Sequence, residues 1–133
     1  MNREETSKIL TYVKTAYPAN FKDMSRDDMM KMLSLWERKF KDIPAELVFM
    51  AVDELIETKS FPPSVSDVKE RLGDIYWDNF MYKWAYDSGT LLLSTEEKNR
   101  VEFIHNSLMQ IADKENSLLT AKENKTNLLG VKK

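Results

Sequence analysis

Few residues in this chain have the types and spacing that chemistry requires. His105 is the only histidine and cysteine is absent. That removes thiolate nucleophiles, disulfides, cysteine-ligated zinc and iron-sulfur sites, and every metal motif that needs two histidines. Nothing supports histidine-assisted serine catalysis, and His105 reads as a solvated helix residue. One acidic group has suggestive spacing: Asp53, Glu54 and Glu57 include pairs three and four apart, which share a helix face and can in principle hold a divalent cation. The same residues read more simply as the outer polar face of a helix that carries Leu47, Ala51 and Leu55. No Gly-x-x-x-x-Gly-Lys-Ser/Thr loop is present to cradle a nucleotide. Paired carboxylates for glycoside chemistry have no indicated cleft. The expectation is a protein that is not an enzyme and uses no metal and no cofactor.

Composition points the same way. The 133 residues, 42% of them hydrophobic, suit one modest core. The charged fraction is 32%, with Gly 3 and Pro 4, a mixture that helices tolerate and β-rich folds seldom do. Lys+Arg 20 against Asp+Glu 22 leaves a net charge of -2, so no global field draws nucleic acid or anionic lipid. Met1 to Lys8 carries no apolar signal region, and export is not expected. The longest aliphatic run, Leu91 to Leu93, is far short of the ~20 residues of a membrane span.

The positioning elements are helices. Thr6, Ile9, Leu10, Val13 and Tyr17 recur at steps of three and four, predicting a helix over 2–16 that Pro18 stops. Ser25 to Asp28 forms a capping-box pattern before Met29, Met32, Leu33, Trp36 and Phe40. Pro44 fits the first turn of a third helix, which carries Leu47, Val48, Ala51 and Leu55 and ends near Thr58. Ser64 with Asp67 caps a short fourth helix bearing Val65, Val68 and Leu72, which Gly73 is expected to end. Leu33, Trp36, Phe40, Leu47 and Leu55 are the expected core of this part.

A fifth helix over 74–87 is crowded with aromatics, and Trp77, Phe80, Met81 and Trp84 fall on one face. After a break at Ser88-Gly89, a cap at Ser94 to Glu97 precedes a narrow seam of Val101, Ile104, Leu108 and Ile111. That seam either packs back on the aromatic face or enters a groove of a partner. The aromatic face is itself a candidate contact with a partner or with a second copy. Beyond Asp113 the polar sequence, with Leu118, Leu119, Leu128 and Leu129, predicts a flexible tail. The expected fold class is all-α, with a small N-terminal domain of about four helices over 1–72, two further amphipathic helices over 73–113 and a tail over 114–133.

Taken in order, Glu4-Glu5-Thr6, Ala16-Tyr17-Pro18 with Phe21, Leu35-Trp36, Val52 through Ile56, and Phe61-Pro62-Pro63-Ser64-Val65-Ser66-Asp67-Val68 resemble the phage replicative helicase loader and inhibitor family, small proteins of phages of Gram-positive bacteria. The resemblance covers about residues 3 to 72; the aromatic-rich helix after Gly73 departs from the family pattern. It implies a folded helical N-terminal domain and a more mobile C-terminal region that engages a hexameric replicative helicase, of the host or of the phage, in the bacterial cytoplasm. It further implies delivery of the helicase to an origin-bound phage initiator, with helicase activity restrained until release and nucleic acid met only indirectly. On that reading the candidate helicase contacts are Val101, Ile104, Leu108 and Ile111, then Leu128 and Leu129. Two alternatives stand beside it. One is a small helical DNA-binding replication or transcription factor, although only the tail, with Lys114, Lys122, Lys125, Lys132 and Lys133, is locally basic. The other is an anti-host inhibitor of the replicative helicase or its loader, which shares the binding chemistry.

Overall fold

The computed structural model describes the backbone of residues 1–128 and the side chains of residues 1–111, and within those bounds all regular structure is helical. Asn2 opens α1 (Arg3–Ala16) with a complete capping box: the Asn2 side chain accepts from the Glu5 amide and the Glu5 carboxylate accepts from the Asn2 amide, each at 2.8 Å. Thr6, Ile9, Leu10 and Val13 form the buried stripe of α1. Pro18 ends α1 as expected and then starts a single turn, α2 (Pro18–Phe21), where its missing amide proton is no loss. That turn delivers Phe21 to the core. Ser25 accepts from the Asp28 amide at 3.1 Å and opens α3 (Arg26–Lys39); only this half of the expected box forms.

In α4 (Ala45–Thr58), Pro44 is the cap rather than a residue of the first turn. Leu47, Val48, Ala51 and Val52 are its buried face. Trp36, Phe40 and Leu47 sit in the core as expected, and Leu33 and Leu55 are half-buried against it. α1 packs on α2, α3 and α4, and the Tyr17 hydroxyl donates to the Lys59 carbonyl at 2.8 Å, tying the exit of α1 to the end of α4.

The expected break at Gly73 does not occur. α5 (Val65–Asp87) is one helix of 23 residues. Its start is the predicted one, with Ser64 and Asp67 exchanging bonds of 3.1 and 2.9 Å. A glycine inside a helix costs about 1 kcal/mol relative to alanine, and burial of Leu72 on one side of Gly73 and Ile75 on the other outweighs that cost. A glycine ends a helix by adopting positive φ after the last turn; Gly89 does so at φ 81, just beyond α5. Ser94 and Glu97 then form the third predicted cap, at 3.1 and 3.2 Å, and open α6 (Thr95–Leu128). The backbone of α6 is helical through most of the segment expected as a tail, while Leu129 lies outside the described residues. α4 packs on α5 and α5 on α6, so Ile75 and Ile104 join the same buried cluster as the N-terminal helices.

A Cβ at Gly73 would meet nothing within 4 Å. Gly73→Ala is therefore expected to raise unfolding stability by about 0.5–1 kcal/mol in urea titration.

Candidate protein-interaction surfaces

α5 presents two apolar faces, and α6 covers one of them. The covered face carries Leu72, Ile75 and Asn79, all buried, with Ile75 and Asn79 beside Val101 and Ile104 of α6. At its centre the buried Asn79 amide donates to the Val101 carbonyl at 3.0 Å. Asparagine is costly inside an apolar seam unless bonded, so this contact fixes where along α5 the helix α6 rests. Lys83 strengthens the same edge, bridging Asp87 at 3.3 Å and Glu102 at 2.9 Å. The hydrogen bond from Lys83 to Glu102 holds the Lys83 ammonium above its usual range, against the smaller opposing effect of desolvation.

The second face carries Trp77, Phe80, Met81 and Trp84, exposed by 63%, 48%, 43% and 59%. At about 100° per residue these positions lie roughly 160° round the helix from Leu72, Ile75 and Asn79. Nothing among the described residues covers them. Trp77 and Phe80 stack on each other with centroids 6.0 Å apart and planes at 21°. Of the two expectations for the seam, pairing with α5 is the arrangement seen, but on the face opposite the aromatics.

The other predicted contact residues are distributed along α6. Val101 and Ile104 are buried, and a partner could reach them only if α6 left α5. Leu108 and Ile111 are half-buried. Leu128 is the last residue of α6, with its side chain outside the described residues, as is the whole of Leu129. His105 is half-buried on α6. The acidic group of α4 is divided among partners: Asp53 accepts from the Tyr12 hydroxyl at 2.6 Å, and Glu54 pairs with Arg71. Because of the Asp53 bond and the burial that accompanies it, the Tyr12 hydroxyl is held above its usual pKa.

Two features escaped sequence reasoning. One is a groove of about 440 Å³ between α4, α5 and α6, walled by Met50, Ile75, Tyr82, Leu91 and Leu93 with Arg100 at its rim. Leucines in a connection give no periodic signal, so the sequence could not place them. The other is Tyr76, whose hydroxyl is buried without a hydrogen-bond partner among the described residues. Burial pushes its pKa from 10.0 up to about 12. A folded pKa above the unfolded one means that the contribution of Tyr76 is intact below pH 10 and is lost as pH rises towards 12. Tyr76→Phe is expected to keep or raise stability at neutral pH, since it removes an unpaired buried hydroxyl. It is also expected to flatten the alkaline fall in stability across that window, read by denaturant titration at several pH values.

The family model for the N-terminal domain of the phage SPP1 helicase loader matches residues 1–69, from α1 into the first turns of α5. No curated protein and no solved structure matches the chain. No helix among the described residues is long and apolar enough to cross a membrane. With more than half of its length matched, the chain belongs to the phage helicase loader family through this N-terminal domain.

Proposed function

We propose that the protein binds a hexameric replicative helicase, brings it to an origin-bound phage initiator and restrains it until release, acting in the cytoplasm of a bacterial host without catalysing a reaction. The observation that carries this reading is the loader-family domain over residues 1–69, joined through one continuous helix to a hairpin that has more apolar surface than its own fold uses. Net charge of -2 supports indirect rather than direct contact with DNA.

α6 has 34 residues and α5 has 23, so at about 1.5 Å per residue α6 outruns its neighbour by roughly 16 Å. A helix that continues that far past its neighbour suits a helix-in-groove contact. Helicase contact is assigned to the part of α6 that contains Leu108, Ile111 and Leu128, and to Leu129. Val101 and Ile104 hold α6 in place beneath it.

Light scattering coupled to size exclusion, on the protein mixed with its cognate hexameric helicase with and without ATP, tests the reading. A stable, nucleotide-sensitive complex is expected, and Leu108→Asp with Ile111→Asp is expected to weaken it by roughly tenfold or more, the order of loss when central contacts are removed. No complex under any nucleotide condition would contradict the reading and favour direct DNA binding.

A further inference from the structure

The exposed face of α5 is not needed for the fold or for the proposed helicase contact on α6, and its layout is symmetric. Along one side of the helix the order is Gly73, Trp77, Phe80, Met81, Trp84, Ser88, and the intervals between them read the same in both directions. Small residues end the stripe, tryptophans stand one turn inside them, and Phe80 and Met81 occupy the centre. An interface with twofold symmetry requires a patch that is complementary to itself. We infer that a second copy of this chain covers this face, the two α5 helices running antiparallel about an axis between Phe80 and Met81.

Side-chain direction favours that arrangement over a parallel one. Helical side chains lean towards the N-terminus of their own helix. In an antiparallel pair Trp77 of one copy lies level with Trp84 of the other, and the two indoles lean opposite ways and pass each other. Trp77 then leans outward over Gly73 and the other copy's Ser88, where small side chains leave room. In a parallel pair each indole meets its identical counterpart leaning the same way, at the same level, and the two collide. Charge is compatible as well. Glu70, Asp74 and Asp78 flank the aromatic stripe on one side. In an antiparallel pair like flanks meet with their directions reversed, which brings Asp74 and Asp78 beside Ser88 and Ala85 of the other copy.

The area fits a weak, reversible dimer. At typical side-chain areas the four exposed residues offer roughly 450 Å² per copy. Two copies bury about twice that, close to the ~1,000 Å² at the lower edge of specific interfaces. The stacked Trp77 and Phe80 rings are already in contact with each other, so part of the ordering cost of association is met in the single chain.

Sedimentation of the chain alone across the micromolar range tests the inference without helicase, so its outcome is independent of the loader reading. A reversible monomer-dimer equilibrium is expected. Trp77→Ser with Trp84→Ser, checked for unchanged helicity by circular dichroism, is expected to be monomeric throughout. The chain has no cysteine, so introduced thiols report geometry cleanly. Gly73→Cys mixed with Ser88→Cys is expected to cross-link on mild oxidation. Gly73→Cys alone is not, because its counterpart would lie fifteen residues away along the helix, about 22 Å. A monomer at every concentration, a dimer indifferent to the double tryptophan change, or self-cross-linking of Gly73→Cys would each overturn the inference.

Discussion

α5 has two apolar faces and, among the described residues, α6 packs along its C-terminal half, so the choice of which face α6 takes determines the exterior there. The contact that makes the choice is the seam of Ile75 and Asn79 against Val101 and Ile104. Apolar burial alone would favour the aromatic side, which offers more area. The side taken is the one that continues the core through Ile75 and Ile104, and once α6 covers it the Asn79 amide exchanges water for the Val101 carbonyl. A buried polar group satisfied in one register and orphaned in every other contributes specificity more than stability. Lys83, held between Asp87 and Glu102, reinforces the same register from the rim.

From that constraint follows the division of labour along the chain. The N-terminal helices and the start of α5 build one core, in which Val13, Phe40, Leu47, Val48, Val52 and Val68 have no measurable exposure. The C-terminal hairpin anchors itself to that core through Ile75 and Ile104 and leaves the aromatic side chains of α5 exposed. A binding protein needs a rigid body and a surface whose burial is unfinished. Here the two are coupled by α5, which begins inside the family domain and ends as the support for α6.

Much of this was legible in the residues. The Ser64 and Ser94 caps, the breaks at Pro18 and Ser88-Gly89, and the core positions of Trp36, Phe40 and Leu47 follow from local hydrogen bonding and helical period, which act over a few residues and are written in adjacent positions. What failed had a longer range. Gly73 carries the local signature of a helix end, and only the packing of Leu72 and Ile75 into a distant core carries the helix through it. The turn Pro18–Phe21 is too short to show a period. The aromatic stripe was visible as a stripe, but its outward direction depends on which face of α5 continues the core through Ile75 and Ile104. The seam of Val101, Ile104, Leu108 and Ile111 was likewise visible, whereas its gradation from buried to half-buried depends on where its neighbour lies.

α6 is anchored on α5 through the buried Val101, Ile104 and Ser107, and the proposed helicase contact lies further along it. Hydrogen–deuterium exchange on the protein, free and bound to its cognate hexameric helicase, separates those roles most directly. The predicted result is new protection in α6 beyond Ile104 on binding, with the amides of α1 to α4 and of the α5–α6 seam unchanged. Protection that appears instead on α1 to α4, or deprotection of the seam around Val101, would contradict it, since the helicase would then be gripping the N-terminal domain or pulling α6 from its anchor.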